Sequence, residues 1–137
     1  MKTLEQRRAA FALARIDEVK TSPDKAKYKT QLLKLPARLH STGLGQTVAF
    51  YLSVGTSYPP KPEKVICDWL QTWLTTETEQ RIYPSTQSLV KSLAGTGLPQ
   101  GADPEAKYRE AAAEARALAV WLKRFAEAFI AGEGGSA

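Results

Sequence analysis

The sequence predicts an all-α protein, a single-domain helical bundle of about six helices closed by a long C-terminal helix. Three observations predict it. Helix-start signals recur along the chain, strand signals are nearly absent, and apolar residues repeat at spacings of three and four rather than two. With 137 residues there is room for one domain, read as 1–131, with 132–137 a flexible glycine-rich tail. No period of roughly 20–50 residues recurs, which excludes a solenoid. A composition of 43 % hydrophobic and 24 % charged residues is that of a globular chain rather than a disordered one.

Each helix has its own signals. Thr3-Leu4-Glu5-Gln6 is a capping box, the Thr and Gln side chains placed to satisfy each other's backbone donors, and it opens a first helix to about Lys20. Ser22-Pro23 offers a cap and a first-turn proline for a second helix to about Ser41. On this helix Tyr28, Leu32, Leu35 and Leu39 form one apolar stripe, while Lys27, Lys34 and Arg38 lie about 100° away. Pro36 removes a donor and crowds the preceding turn, so a kink is expected. Gly43 ends the helix, and a short one follows over about Leu44–Ser53, whose Val48-Ala49-Phe50-Tyr51-Leu52 run reads as core. Val54–Pro62, with three prolines and a glycine, is the clearest loop.

A fourth helix is expected over about Glu63–Thr76, with Ile66, Trp69, Leu70 and Trp73 on its buried side. A fifth follows over about Ser85–Ala94, then a glycine-rich loop, Gly95–Ala102. Asp103-Pro104 caps the last helix, which runs to about Ala131. Tyr108, Ala111, Ala115, Leu118, Leu122, Ala126 and Phe129 define its buried side. Arg109, Arg116 and Lys123 form a basic row beside it. Trp121 falls outside the stripe, either packed under the first helix or marking a partner surface.

Several chemistries find no support. One cysteine and one histidine cannot make an intramolecular disulfide or a four-ligand zinc site, and no metal or cofactor is expected. Cys67 sits among Val65, Ile66, Trp69 and Leu70 and reads as a buried thiol rather than half of a Cys/His dyad. His40 could serve a small nuclease only with an acid or base in reach; near a helix C-terminus a surface histidine is the ordinary reading. Asp17-Glu18 and Glu77/Glu79 read as exposed charges. Gly43-Leu44-Gly45-Gln46-Thr47 has neither a preceding strand nor a Gly-Lys-Ser/Thr ending, so it is not a phosphate loop. No apolar run is long enough for a membrane span and no signal core follows Met1, so a cytoplasmic protein without a membrane partner is expected. An enzyme is not.

Charge carries the positive signal. Residues 1–42 hold ten Lys/Arg against four Asp/Glu, an excess of six in a chain whose net charge is +5. A basic segment beside a near-neutral remainder points to a polyanionic partner, nucleic acid ahead of membrane. Lys27 to Arg38 spans roughly 16 Å of helix, enough to follow several phosphates. Arg8 and Arg15 share a side of the first helix with Leu4 and Phe11 and are the second choice for RNA contact. With no base-reading motif, contacts are expected to be with backbone phosphates.

Thr3-Leu4-Glu5-Gln6-Arg7-Arg8-Ala9 resembles the opening of the small helical subunit of type III-B CRISPR effector complexes, the fifth Cmr subunit. Leu35-Pro36-Ala37 followed by Gly43-Leu44-Gly45-Gln46-Thr47-Val48-Ala49-Phe50-Tyr51-Leu52 resembles that family's central segment. Tyr108-Arg109 and Trp121-Leu122-Lys123-Arg124-Phe125-Ala126 are similar to its last helix. The resemblance spreads over most of the chain in the family's order. It implies a non-catalytic, all-helical subunit that stacks in several copies beside the repeated backbone subunits and lines the channel holding guide and target RNA. Lys27, Lys34, Arg38, Arg109, Arg116 and Lys123, with Arg8 and Arg15, are then the expected RNA contacts, and Trp121 the expected subunit contact. The competing reading is a freestanding helical adaptor for an acidic protein.

Overall fold

The computed structural model describes residues 1–77 and 82–132. Among these there are six α-helices and no strand: α1 (Leu4–Val19), α2 (Lys25–Thr42), α3 (Leu44–Gly55), α4 (Pro62–Thr72), α5 (Leu89–Leu93) and α6 (Pro104–Phe129). A π-helical turn, Trp73–Glu77, continues α4. The all-α expectation holds, the long last helix included.

The helices fall into two compact units, one of residues 1–41 with the chain from Arg116, the other Thr42–Ala115. One boundary falls in the last turn of α2, between Ser41 and Thr42, and the other within α6, between Ala115 and Arg116.

In the first unit the capping box is present: Thr3 Oγ1 accepts from the Gln6 N–H at 3.1 Å, and Gln6 Oε1 accepts from the Thr3 N–H at 2.9 Å. Phe11, Ala12, Ile16 and Val19 of α1 are buried, as are all four predicted stripe residues of α2. Leu118, Ala119, Leu122 and Ala126 complete this core from α6. Removing such leucines from water is worth about 1.5–3 kcal/mol each. The start of α2 differs from expectation. Ser22 Oγ instead accepts from the Asp24 N–H at 3.0 Å, closing a local turn, and the Asp24 carbonyl accepts from Tyr28 N–H, so the helix starts at Lys25. It continues through Pro36 to Thr42. Phe129, expected in the buried stripe of α6, is 51 % exposed. Ile130, just past the helix end, is buried instead, and Lys29 Nζ donates to the Gly132 carbonyl at 2.7 Å.

The second unit is built from short elements and bulky rings. Tyr51, Trp69, Trp73 and Tyr83 are buried with Leu44, Val48, Ile66, Leu70 and Leu74. Phe50 and Ala49, expected in the core, face water because α3 buries the side bearing Leu44, Thr47, Val48 and Tyr51. Gly43, at φ +86°, is the single residue joining α2 to α3. At Gly55 a Cβ would lie 2.4 Å from the Lys64 backbone nitrogen, so only glycine lets α3 and α4 approach this closely.

Two of this unit's helices are shorter than predicted. α4 gives way at Trp73 to the π turn, where Thr75 and Thr76 hydroxyls donate to the Gln71 and Thr72 carbonyls at 2.6 and 2.7 Å. Such back-bonding by β-branched residues weakens regular α geometry. α5 starts four residues late, at Leu89. Its first N–H donates to Gln71 Oε1 at 3.0 Å, a cap supplied from α4. α6 is capped as expected, Asp103 Oδ1 accepting from the Glu105 and Ala106 N–H groups.

Candidate nucleic-acid interface

Eight cations were predicted to meet RNA, and the structure divides them by their partners. Arg8 pairs with Glu5 at 2.7 Å, Arg15 with Glu18 at 2.9 Å and Arg109 with Glu105 at 2.7 Å, each within one helical turn or so. Arg15 also lies over the Phe11 ring, 4.7 Å from its centroid. The Phe11 ring is thus buried under an arginine and offers no face to a base. Arg38 donates to Gln31 Oε1 on its own helix.

Lys27, Lys34 and Arg116 are exposed and Lys123 half-exposed, and none has an acidic partner among the described residues. Lys27 and Lys34 stand seven residues apart on α2. Arg116 and Lys123 stand seven apart on α6, in the same unit as α2. Each pair keeps to one side of its helix, because seven residues return the chain to nearly the same azimuth. Arg109, the third member of the predicted α6 row, falls in the other unit.

Trp121 is half-buried. Its ring sits 5.5 Å from that of Phe125, which is 5.8 Å from Phe129, so three rings at i, i+4 and i+8 form a continuous ridge. The indole N–H donates to Glu5 Oε1 at 3.5 Å, so Trp121 does meet α1. Spacing from Trp121 alone would have found Phe125 and Phe129, but assigning Phe129 to the core hid the ridge.

The chemical candidates resolve simply. Cys67 is buried, its thiol donates to the Val48 carbonyl at 3.7 Å, and burial, aided by Asp68, pushes its pKa up to about 12. A thiol held protonated that firmly is no nucleophile. His40 is exposed on the last turn of α2. Asp17 pairs with Lys20 and Glu18 with Arg15, while Glu79 lies outside the described residues. Among the described residues no group of three or more His, Cys, Asp or Glu is placed to hold a metal ion, and no helix is long and apolar enough to cross a membrane. Burial also pushes the Tyr83 hydroxyl up to about 12, with Tyr108 and Glu110 adding to the shift. Glu114, on the face of α6 shared with Trp121, is buried and accepts from the Trp73 indole N–H at 3.0 Å.

The described residues form a small all-helical protein that carries Lys27, Lys34 and Arg116 exposed on its helices. Over residues 4–129 the chain matches the family described as CRISPR-associated protein (Cas_Cmr5), and it belongs to that family. Membership implies a subunit of a type III-B CRISPR effector complex, associated with Cmr subunits and guide RNA. The family is generally a non-catalytic structural subunit.

Proposed function

We propose that this chain is a non-catalytic scaffold subunit that holds guide and target RNA by their backbones from its basic helix faces, in a cytoplasmic antiviral complex. The observation that carries the reading is the set of cations without acidic partners, Lys27, Lys34, Arg116 and Lys123. A cation not neutralised within its own helix has more to gain from a phosphate. Arg38 extends the α2 row, while Arg8, Arg15 and Arg109 contribute less because their charges are already met by Glu5, Glu18 and Glu105. Sequence specificity comes from guide–target pairing, and the protein reads phosphates. Copies stack beside the repeated backbone subunit, with the Trp121 ridge against a neighbouring subunit. Residues 1–131 act as one domain, which a single calorimetric unfolding transition would support and two would overturn.

The test is a tagged pull-down from source cells, with proteins identified and RNA sequenced. Short guide RNAs with a set of Cmr subunits are the expected result. Recovery of one acidic protein and no RNA would replace this reading with the adaptor. For Trp121, a Trp121→Ala chain that folds but fails to enter the complex is expected; normal assembly would remove Trp121 from the interface.

A further inference from the structure

We infer that Tyr58 is a stacking platform for an unpaired nucleobase of single-stranded RNA, through residues other than those of the basic helix faces. The inference rests on the RNA reading above for its ligand, but on different residues for its geometry. Tyr58 is 100 % exposed, at the tip of the six-residue loop between α3 and α4, and every residue from 56 to 61 is exposed with it.

The support beneath this ring is stiff. The Lys61 N–H donates to the Gly55 carbonyl at 3.0 Å, closing the base of the loop, and Ser57 Oγ donates to the Pro59 carbonyl at 2.9 Å. Pro59, Pro60 and Pro62 fix three backbone torsions. The two helices that carry the loop meet backbone to backbone at Gly55 and Lys64. A rigid aromatic with only two side-chain torsions loses little entropy when something binds it.

The surroundings favour a base over a protein. An aromatic that anchors a protein contact sits at the centre of an apolar patch that excludes water. Tyr58 has Ser57, exposed prolines and Lys61 beside it, whereas a nucleobase needs only the ring face. Lys61 has no acidic partner among the described residues, but Glu63 follows it and Lys64 is held by Asp68 at 2.6 Å. The tip is therefore close to neutral, and binding there is by stacking, with little release of counterions.

The full chain would be titrated with a single-stranded oligoadenylate carrying 2-aminopurine, and with an RNA duplex of the same length. Tyr58→Ala should weaken single-strand binding about tenfold and abolish quenching of the probe, with duplex binding and the salt slope unchanged. Tyr58→Trp should restore both. A Tyr58→Ala chain that binds the oligoadenylate like the parent overturns the inference, as does one that binds RNA normally but no longer co-purifies with protein subunits. If the parent chain binds neither RNA, alone or in its complex, the proposed function fails and Tyr58 with it. Because Tyr58 touches no core, its variants keep the parent's melting temperature.

Discussion

The unit formed by residues 1–41 and the chain from Arg116 carries thirteen Lys/Arg against six Asp/Glu, while Thr42–Ala115 carries six against eight. The first is made of long helices with aliphatic stripes, the second of short helices around buried tryptophans and tyrosines. The excess of positive charge and the buried tryptophans belong to different stretches of one chain. The first unit carries Lys27, Lys34 and Arg116 exposed on regular helices, at positions that spacing sets. The second unit spends its polar groups inward, in bonds such as Trp73–Glu114, Tyr108–Gly45 and Gln71–Leu89. Substitutions in the core of the second should therefore be read in stability, and substitutions of exposed cations in the first in binding.

The largest effect is expected at Trp73, 1 % exposed and bonded to Glu114. Trp73→Ala should cost about 3–5 kcal/mol by chemical denaturation, more than a leucine of the first core, because it leaves a large cavity and removes the indole hydrogen bond to buried Glu114. Leu35→Ala is the matched control, at about 2–4 kcal/mol. A smaller loss at Trp73 than at Leu35 would break the contrast.

Alkali sharpens it next. Burial holds the Cys67 thiol at about 12 against 9.0 unfolded, and the Tyr83 hydroxyl at about 12 against 10.0. The unfolded chain thus releases protons that the folded chain keeps. Stability from these groups is complete below about pH 9 and drains away as the pH climbs towards 12. Melting temperatures should fall across that window, and less steeply in Cys67→Ala; an identical decline would show that the thiol has no part in it.

Reversing Lys27 and Lys34 together to glutamate should weaken RNA binding about tenfold and flatten its salt slope by about 0.7–0.9 per lost phosphate contact. Stability should move by no more than about 0.5 kcal/mol. Unchanged binding and slope would take the α2 row out of the RNA account. The smallest effect belongs to the cap: Thr3→Ala should cost about 1 kcal/mol, read as a lower denaturation midpoint.

The two units also differ in how far their sequence discloses them. The capping box at Thr3–Gln6, the Tyr28–Leu39 stripe and the alanine-rich side of α6 follow from nearest-neighbour geometry, and the structure has them where periodicity puts them. The misses depend on partners distant in sequence or on competition within a turn. Gln71 caps α5 across 18 residues, so its start at Leu89 is invisible locally. Thr75 and Thr76 divert α4 into a π turn through bonds that propensity alone does not rank. Among the candidate cations, residue type and spacing found the rows but not the division within them. That division depends on rotamers pairing Arg8, Arg15 and Arg109 with acids one turn away. Tyr58 escaped because proline spacing marks a loop without saying how far its side chains stand out.

The absence of a side chain at Gly55 reaches beyond its own contact. Because α4's backbone occupies the space a methyl would need, position 55 is closed to every other residue, while residues 56 to 61 above it are all exposed. The close approach at Gly55 and the prolines above it set the height of the loop together. Whatever meets Tyr58 meets it at a fixed reach, and the gauge that sets this reach is a hydrogen atom.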